Sequence, residues 1–389
     1  MTAVRSSSLG PLVLLWLAGN CLRLTILAVP PVLALIILDL KLTGTQVGIL
    51  NAIPVCLFAL AAVPGSLLIA RAGAVPAAII GLLITAAGSA MRGFASDAML
   101  LYLATLVMAA GVAVMQPALP PIVRQWVPNR IGFATAVYAN GLLVGEILPV
   151  VFAGVLLPVL SGSWRASLVF WSIPVAIIAL VIFLLQPGGK SAPVSRPSRW
   201  MPNWRDPLLW NIGLMLGGAN QLYFCANAFL PGYLLQIGRT DLITVALTAL
   251  NAGQLPASFV LLARASKWER KKWPLIGAGL VGLGGVVAIL TVPAPWGVIG
   301  GATMIGLSCA TMLTLVLAMP ALLVSPDDVP RMSAGVFVIG YSMGVIVSII
   351  AGMVWDLSGN AAYAFIPIGI AGLTMILFAL PIDFSRRYS

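Results

Sequence analysis

The sequence predicts an all-α integral membrane protein in which twelve transmembrane helices form two pseudo-symmetric six-helix bundles. Three observations carry this prediction: the composition, twelve long apolar runs, and one polar segment in the middle of the 389-residue chain. Apolar residues make up 61% of the chain and charged residues only 8%, whereas soluble domains carry about 25% charged residues. Because so few charges cannot cover a water-exposed surface, most of the chain must face lipid.

Each of the twelve runs is long enough to cross a bilayer, since a transmembrane helix needs about 20 mostly apolar residues. The runs are continuously apolar, whereas the strands of a transmembrane barrel alternate apolar and polar residues. The first run has no cleavage site after a short apolar core, so we expect it to be retained and not to be a signal peptide. We number the runs spans 1 to 12, and they cover residues 9 to 38, 45 to 70, 74 to 93, 98 to 120, 131 to 158, 165 to 186, 208 to 236, 241 to 263, 273 to 292, 296 to 323, 332 to 357 and 360 to 382.

The only long polar segment divides the spans into two sets of six. It reads QPGGKSAPVSRPSRWMPNWRDP, a composition of Pro, Gly, Ser and basic residues that does not suit a bilayer. The halves also share a spacing, because Gly141 and Gly145 in span 5 recur 199 residues later as Gly340 and Gly344 in span 11. We therefore predict an N-terminal bundle at residues 1–186, a cytoplasmic linker at 187–207 and a C-terminal bundle at 208–389.

Positive charge is distributed unevenly between the two sides of the membrane. If the N-terminus is cytoplasmic, four of the 21 Lys and Arg residues fall on the opposite side and Arg23 lies inside span 1, which leaves 16 on the cytoplasmic side. This positive-inside pattern predicts that both termini are cytoplasmic in a bacterial cytoplasmic membrane. The net charge of +11 then reports orientation and lipid contact, and we expect no nucleic-acid partner, even for the WERKKW run from Trp268. The four cations on the opposite side are Lys41, Arg92, Arg165 and Arg239.

The Cys and acidic residues give no sign of a metal site or a catalytic centre. The chain has no His, and its four Cys residues each lie in an apolar run without a CxxC pair. We therefore expect no disulfide, no metal and no cofactor. An integral membrane enzyme is a remote alternative, because it would need an acid, base, nucleophile or metal ligands near a membrane surface. The loop acids Asp327 and Asp328 have no such neighbours in the sequence.

Three patches of sequence resemble one branch of a known transporter family. They are Asn20, Arg23 and Pro30-Pro31 in span 1, GVAVMQPALPPIVRQW in span 4, and FLPGYLLQIG in span 7. Together they resemble the cyanate porter and nitroimidazole exporter branch of the major facilitator superfamily. The resemblance implies a secondary transporter whose two six-helix halves alternate access to one site near the membrane midplane. It also implies that spans 1 and 5 are neighbours in the N-terminal half.

The loop after span 2 is similar to a motif of the same superfamily, Gly-x-Leu-x-Asp-Arg-x-Gly. The matching positions are Ser66, Leu68, Ala70, Arg71 and Gly73. Ser66 replaces the first Gly and Ala70 replaces the Asp. Because that Asp is absent, its role in gating does not carry over to this chain.

Two ionisable residues lie well inside the spans by sequence, Arg23 halfway along span 1 and Glu146 just past halfway along span 5. Charge at the bilayer centre costs at least about 2.5 to 3.5 kcal/mol, so such residues usually serve a function. Arg23 is a candidate substrate-binding cation, because a guanidinium stays charged and offers a planar fork of donors to an anion. The alternative is a structural ion pair with Glu146 or bonding to helix carbonyls. Glu146 is a candidate proton carrier, and the alternative is a permanent counter-ion of Arg23.

Uncharged polar residues inside the spans are further candidates for substrate contact. Asn220, Tyr223 and Asn227 in span 7 share one helical face, and by pseudo-symmetry span 7 corresponds to span 1, where Asn20 and Arg23 lie three residues apart. Such a row would be costly against lipid, so we expect it to line a cavity. Further candidates, for which helix-to-helix hydrogen bonding is the alternative, are Gln116, Tyr138, Asn140, Asn251, Gln254 and Tyr341.

These observations predict a secondary active transporter of a small polar or anionic solute, such as cyanate or another small organic or inorganic anion. The expected partners are that small-molecule substrate, protons or a counter-transported anion, and membrane lipid, and we expect a monomer. An exporter of small drug-like compounds such as nitroimidazoles is the alternative, although a fixed cation at Arg23 argues against cationic drugs. No segment resembles a selectivity filter or a ring of charges, which disfavours a channel.

Overall fold

The described part of the chain is almost entirely helical. The computed structural model describes residues 9–60, 68–69, 71–187, 201–268, 270–292, 294–325 and 328–384. Spans 1 to 6 contain the helices Leu9–Leu24 and Leu33–Leu40, Gly44–Leu60, Ala74–Arg92, Ala98–Trp126, Ile131–Val159 and Trp164–Leu185. Spans 7 to 12 contain Pro207–Gln236, Ile243–Ala252 and Gln254–Trp268, Trp273–Thr291, Pro295–Leu323, Val329–Ser358 and Phe365–Leu377.

Many of these helices have the length and apolarity of membrane spans. Among the described residues, eight helical stretches meet both criteria, in spans 3 to 6 and 8 to 11, where the stretch of span 8 is counted across Gly253. Shorter apolar helices occupy spans 1, 2 and 12. Span 7 forms a helix of 30 residues whose middle carries Asn220, Gln221 and Asn227. The chain is therefore a multi-pass membrane protein.

Two spans that the sequence predicts as continuous are broken. In span 1 the helix ends at Leu24 and helical structure resumes only at Pro30–Val32, as a 3-10 turn. Pro30 and Pro31 have no backbone N–H to donate, and a proline disfavours the α conformation of the residue before it, which favours a break here. Span 8 is divided at Gly253. By contrast, the helix of span 4 runs through three prolines to Trp126, six residues beyond its predicted end.

Contacts divide the chain into two compact units. The first comprises Met1–Val29 and Leu60–Ser195, and the second comprises Pro30–Ala59 and Arg196–Ser389. The boundary after Val29 falls in the break of span 1, so span 2 packs with the second unit. The division into bundles at a central linker stays a prediction. Outside the described residues lie Ser66 and Ala70 of the loop motif, Asp327, residues 188–200 of the predicted linker, and several of the cytoplasmic cations.

Within the second unit, span 2 packs closely against span 11 through small residues. A Cβ added to Gly44 would lie 2.8 Å from the carbonyl oxygen of Gly352, and one added to Gly48 would clash with the carbonyl of Ser348. The Ser348 hydroxyl donates to the carbonyl of Gly48 at 3.1 Å, and Asn51 Nδ2 donates to that hydroxyl oxygen at 2.9 Å. Small residues let membrane helices approach closely enough for such backbone contacts.

A carboxylate from span 11 caps the first turn of span 2. Asp356 accepts hydrogen bonds from the backbone N–H groups of Gly44 and Thr45, the latter at 2.8 Å. The first N–H groups of a helix have no partner within the helix, and they carry the positive end of its dipole. Asp356 therefore accepts hydrogen bonds from these N–H groups and places a negative charge at the positive end of the helix dipole.

We predict that Asp356→Ala lowers the apparent melting temperature of the purified protein, because two backbone donors of span 2 lose their acceptor. Loss of a cap costs about 1 to 2 kcal/mol. Thermal unfolding in detergent, followed by tryptophan fluorescence, measures the change. The control is Asp241→Ala, since Asp241 is largely exposed and pairs only with the nearby Arg239. Equal melting temperatures for the two variants would contradict the capping role.

Candidate functional site

Spans 1 and 5 approach each other closely within the first unit, and three glycines make this possible. An added Cβ at any of the three would clash with a backbone carbonyl of the opposite helix. The glycines therefore let the two backbones touch, as small residues do between membrane helices. The clashing pairs are Gly19 with Tyr138, Gly141 with Trp16, and Gly145 with Asn20.

This close packing brings Arg23 and Glu146 together. Arg23 Nε lies 3.3 Å from Glu146 Oε1, and the two side chains are only 9% and 5% exposed. Gly145 directly precedes Glu146 and touches the backbone of Asn20, three residues before Arg23. The depth match predicted from the sequence therefore corresponds to a direct ion pair. Each charge compensates the other, as buried charges require.

The other polar candidates of the first unit differ in how well their hydrogen bonding is satisfied. Asn140 accepts a hydrogen bond from the Trp16 indole N–H at 3.0 Å, which is the helix-to-helix role considered as an alternative. Asn20 Nδ2 donates to the carbonyl of Trp16 at 2.9 Å, but its buried Oδ1 has no partner. Gln116 likewise has a buried Oε1 without a partner. Tyr138 is half-buried. Asn20 and Gln116 thus offer unsatisfied acceptors to a bound solute or water.

The polar row of span 7 forms a network with span 8 in the second unit. The Tyr223 hydroxyl donates to Asn251 Oδ1 at 2.7 Å, and Asn251 Nδ2 donates to Asn227 Oδ1 at 3.0 Å. Asn227 Nδ2 in turn donates to the carbonyl of Tyr223 at 3.0 Å. All three side chains are buried. This network fixes the two helices to each other, and it leaves few free groups for a ligand.

The remaining candidates of the second unit lie in different surroundings. Asn220 has a buried Nδ2 with no partner, and Gln254 is buried. Tyr341 packs against the rings of Phe58 and Phe337, with centroids 5.6 and 5.8 Å away, so its surroundings are aromatic.

Gln221 is a buried polar residue that sequence reasoning missed. Its side chain is wholly buried, Oε1 accepts from the Cys225 thiol at 3.1 Å, and Nε2 has no partner. It was overlooked because it lies off the face that Asn220, Tyr223 and Asn227 share. The sequence does show Gln221 as a second amide residue directly after Asn220.

Arg92, which the sequence places at the end of span 3 on the side opposite the cytoplasm, has a buried side chain. Its side chain is 0% exposed, and Nη2 donates to the carbonyl of Thr25 at 2.8 Å and to the Ser89 hydroxyl oxygen at 2.9 Å. The burial was not evident from the sequence, because Arg92 is the last residue of its helix while its side chain turns inward to the break of span 1. Three charged residues, and not two, are therefore buried in the described chain.

The described residues also show how the Cys and loop acids are arranged. They contain no group of three or more Cys, Asp and Glu residues suited to a metal. None of the four Cys residues, all of them described, forms a disulfide: Cys21, Cys56, Cys225 and Cys309. Asp328 pairs with Arg331, with Oδ1 and Nε 2.8 Å apart on a partly exposed surface. The loop acid that seemed isolated in the sequence thus has a local partner.

Family comparison identifies the chain. The model of the Major Facilitator Superfamily matches residues 15–263. The chain belongs to the Major Facilitator Superfamily. It is therefore a transporter of small solutes and not an enzyme.

Two relatives within the superfamily come from Escherichia coli (strain K12). The cyanate transport protein CynX is 25% identical over 388 residues, which cover 97% of this chain and 99% of the relative. A 2-nitroimidazole transporter is 28% identical over 229 residues, 57% of each chain. An uncharacterized transporter of Bacillus subtilis (strain 168) is 24% identical over 314 residues, covering 78% of this chain and 76% of the relative.

Solved structures share the superfamily fold at low identity. A bacterial homologue of the human lysosomal transporter Spinster, in an inward-facing and unoccupied conformation, has a TM-score of 0.75 and 16% identity, over 97% of this chain and 96% of that chain. A mutant of the nucleoside transporter NupG has a TM-score of 0.76 and 14% identity, over 95% of this chain and 98% of that chain. Both similarities concern the fold.

We predict that Gly145→Ala weakens the contact between spans 1 and 5, because its Cβ would overlap the backbone of Asn20. Overpacking of this kind costs about 1 to 3 kcal/mol. The apparent melting temperature should fall by several degrees. Gly10→Ala is the matched control in the same pair of helices, since a Cβ at Gly10 meets nothing within 4 Å. A Gly145→Ala protein as stable as the Gly10→Ala protein would refute the close-packing role.

Proposed function

We propose that this transporter carries a small anion by alternating access, with Arg23 as the substrate-binding cation. The observation that carries the proposal is the buried pair of Arg23 and Glu146, 3.3 Å apart. A guanidinium in this position can exchange one carboxylate for another small anion, because its planar fork binds both in the same way. Asn20 and Gln116 stay candidates for contact with the anion, to which each would have to turn an amide N–H, since their unpartnered oxygens only accept. Cyanate, which the name of the relative CynX gives as its cargo, is one small monoanion of this kind.

We further propose that Glu146 couples the anion to a proton. If an anion displaced a charged Glu146 from Arg23, the Glu146 carboxylate would be buried without the cation that compensates it. If Glu146 were protonated with no anion present, Arg23 would be buried without a counter-charge, and a broken buried pair costs about 3 to 5 kcal/mol. Both problems disappear when one proton and one monoanion bind together. Glu146 is then the counter-ion of Arg23 when it is charged and the proton carrier when it is protonated. The two roles, which were alternatives by sequence, become two states of one residue.

The proposed membrane arrangement has twelve spans in two pseudo-symmetric six-helix bundles, at residues 1–186 and 208–389. We place both termini on the cytoplasmic side of a bacterial cytoplasmic membrane and expect a monomer. Support comes from the positive-inside distribution of charge and from the apolar helices of spans 1 to 6 and 8 to 12. Asn220, Tyr223, Asn227, Asn251, Gln254, Tyr341, Tyr138 and Asn140 stay candidates for substrate contact.

A second candidate function is the export of small drug-like compounds such as nitroimidazoles. It is favoured by the 28% identity to a 2-nitroimidazole transporter over 57% of the chain. Thermal unfolding with and without 2-nitroimidazole separates the two functions. Stabilisation by this compound that is independent of Arg23 and Glu146 would favour the exporter.

We predict that the double variant Arg23→Gln with Glu146→Gln loses anion binding but still folds. Replacing both residues leaves no unpaired buried charge, which the single variant Arg23→Gln would create. Loss of a charged hydrogen bond corresponds to about a 10- to 100-fold loss of affinity. The affinity of the purified protein for sodium cyanate and sodium nitrate is measured from the rise in melting temperature. A folded double variant with wild-type affinity would overturn the role of Arg23.

We predict that Glu146→Gln removes the dependence of anion affinity on pH. In the wild type, binding takes up one proton, so affinity should rise up to about tenfold for each unit of falling pH. The Gln variant keeps Arg23 available at every pH, and in vesicles it should exchange anion without accumulating it against a pH gradient. If the anion affinity of the Gln variant depended on pH as that of the wild type does, Glu146 would serve only as the counter-ion of Arg23.

A further inference from the structure

Arg92 is a buried guanidinium whose charge no carboxylate compensates among the residues that the structure describes. Its hydrogen bonds come from Nη2 alone, to the carbonyl of Thr25 and the hydroxyl of Ser89, and both acceptors are neutral. Nε and Nη1 are buried and have no partner. The residue is thus held in place firmly while its positive charge stays unbalanced.

The buried charges therefore sum to a positive value. Three charged side chains are buried in the described chain, Arg23, Arg92 and Glu146, and all three lie in the first unit. Arg23 and Glu146 compensate each other, which leaves the single positive charge of Arg92. A cation without a counter-charge is costly away from water. The excess stays positive whether Glu146 is charged or protonated, so a monoanion bound in this part of the unit would reduce it.

Arg92 contacts span 1 within a few residues of Arg23. The helix ends at Leu24, the N–H of Leu27 donates to the carbonyl of Arg23 at 2.9 Å, and Arg92 holds the carbonyl of Thr25. Two residues of chain extend at most about 7 Å. The Thr25 carbonyl that Arg92 binds is therefore close to the backbone of Arg23, the proposed substrate-binding cation.

We propose that Arg92 determines the charge specificity of the transporter. Its unbalanced charge favours a monoanion at Arg23 over a neutral solute, because charges in a low-dielectric site act over longer distances than in water. The negative end of the Leu9–Leu24 helix dipole offsets part of this charge without cancelling it. The inference rests on the anion transport proposed above. It assigns selection to Arg92, and binding and proton coupling to Arg23 and Glu146.

A purely structural role makes the opposite prediction. If Arg92 served only to hold the break of span 1, Arg92→Gln would unfold at a lower temperature and its anion affinity would be unchanged. If its charge selects anions, Arg92→Gln removes an unbalanced buried charge and leaves a neutral amide in its place. That variant should then unfold no lower than the wild type without anion, and it should gain less stability when anion is added.

The experiment compares the wild type with Arg92→Gln, Arg92→Lys and Arg165→Gln, each as full-length protein in detergent. Apparent affinities for sodium cyanate and sodium nitrate are taken from melting temperatures at constant ionic strength. Arg165 is the matched control, because it also bonds a backbone carbonyl, that of Ala95 at 2.9 Å, but is only partly buried and lies over the Trp164 ring. We expect Arg92→Gln to weaken both affinities about tenfold, Arg92→Lys to stay close to the wild type, and Arg165→Gln to change nothing.

Each outcome bears on the proposal. Wild-type affinity in a folded Arg92→Gln protein overturns it. If Arg92→Gln does not fold, Arg92→Lys decides, since loss of affinity with the charge retained also overturns the proposal. The double variant of Arg23 and Glu146 is measured in parallel. Anion affinity that survives in that variant refutes the proposed function at Arg23, whereas its loss together with wild-type affinity in Arg92→Gln refutes only the role of Arg92.

Discussion

A charge buried away from water needs an opposite charge beside it, and the arrangement of the first unit depends on how this chain meets that requirement. Gly19, Gly141 and Gly145 remove the side chains that would keep spans 1 and 5 apart. The two backbones then meet, and Arg23 and Glu146 form a pair with both side chains nearly covered. The glycines are thus part of the electrostatics, since larger residues would separate the two charges. Helix packing and the proposed chemistry share one cause.

The same requirement explains why the two units differ. The second unit buries amides and hydroxyls but no charged side chain among its described residues, and Tyr223, Asn227 and Asn251 satisfy one another across two helices. Neutral polar groups of this kind can be paired locally at little cost. The first unit instead buries two guanidinium groups and one carboxylate. On the proposed function, the first unit therefore supplies the charges that recognise an anion.

Much of the fold follows from the sequence, because a span is a property of about 20 consecutive residues. The helices of spans 3, 5, 6 and 7 begin and end within one or two residues of the apolar runs. The equal depth of Arg23 and Glu146 was also visible, since depth follows from position along a helix.

The breaks at residues 25–29 and at Gly253 were not predicted, because hydropathy does not record backbone hydrogen bonds. The burial of Arg92 was not predicted for a related reason, since side-chain direction at a helix end depends on what packs against it. The pairing of Asn140 with Trp16 likewise needed tertiary contacts.

The cap on span 2 has a consequence for how the chain is made. Asp356 and the Gly44 N–H that it accepts are 312 residues apart in sequence. A ribosome releases the chain from its N-terminus, so span 2 enters the membrane long before its capping carboxylate has been synthesised. Until then, water, lipid headgroups or the insertion machinery must satisfy those backbone donors, as in other contacts of high sequence separation. The start of span 2 is therefore among the last helix ends to reach its final hydrogen bonding during biosynthesis.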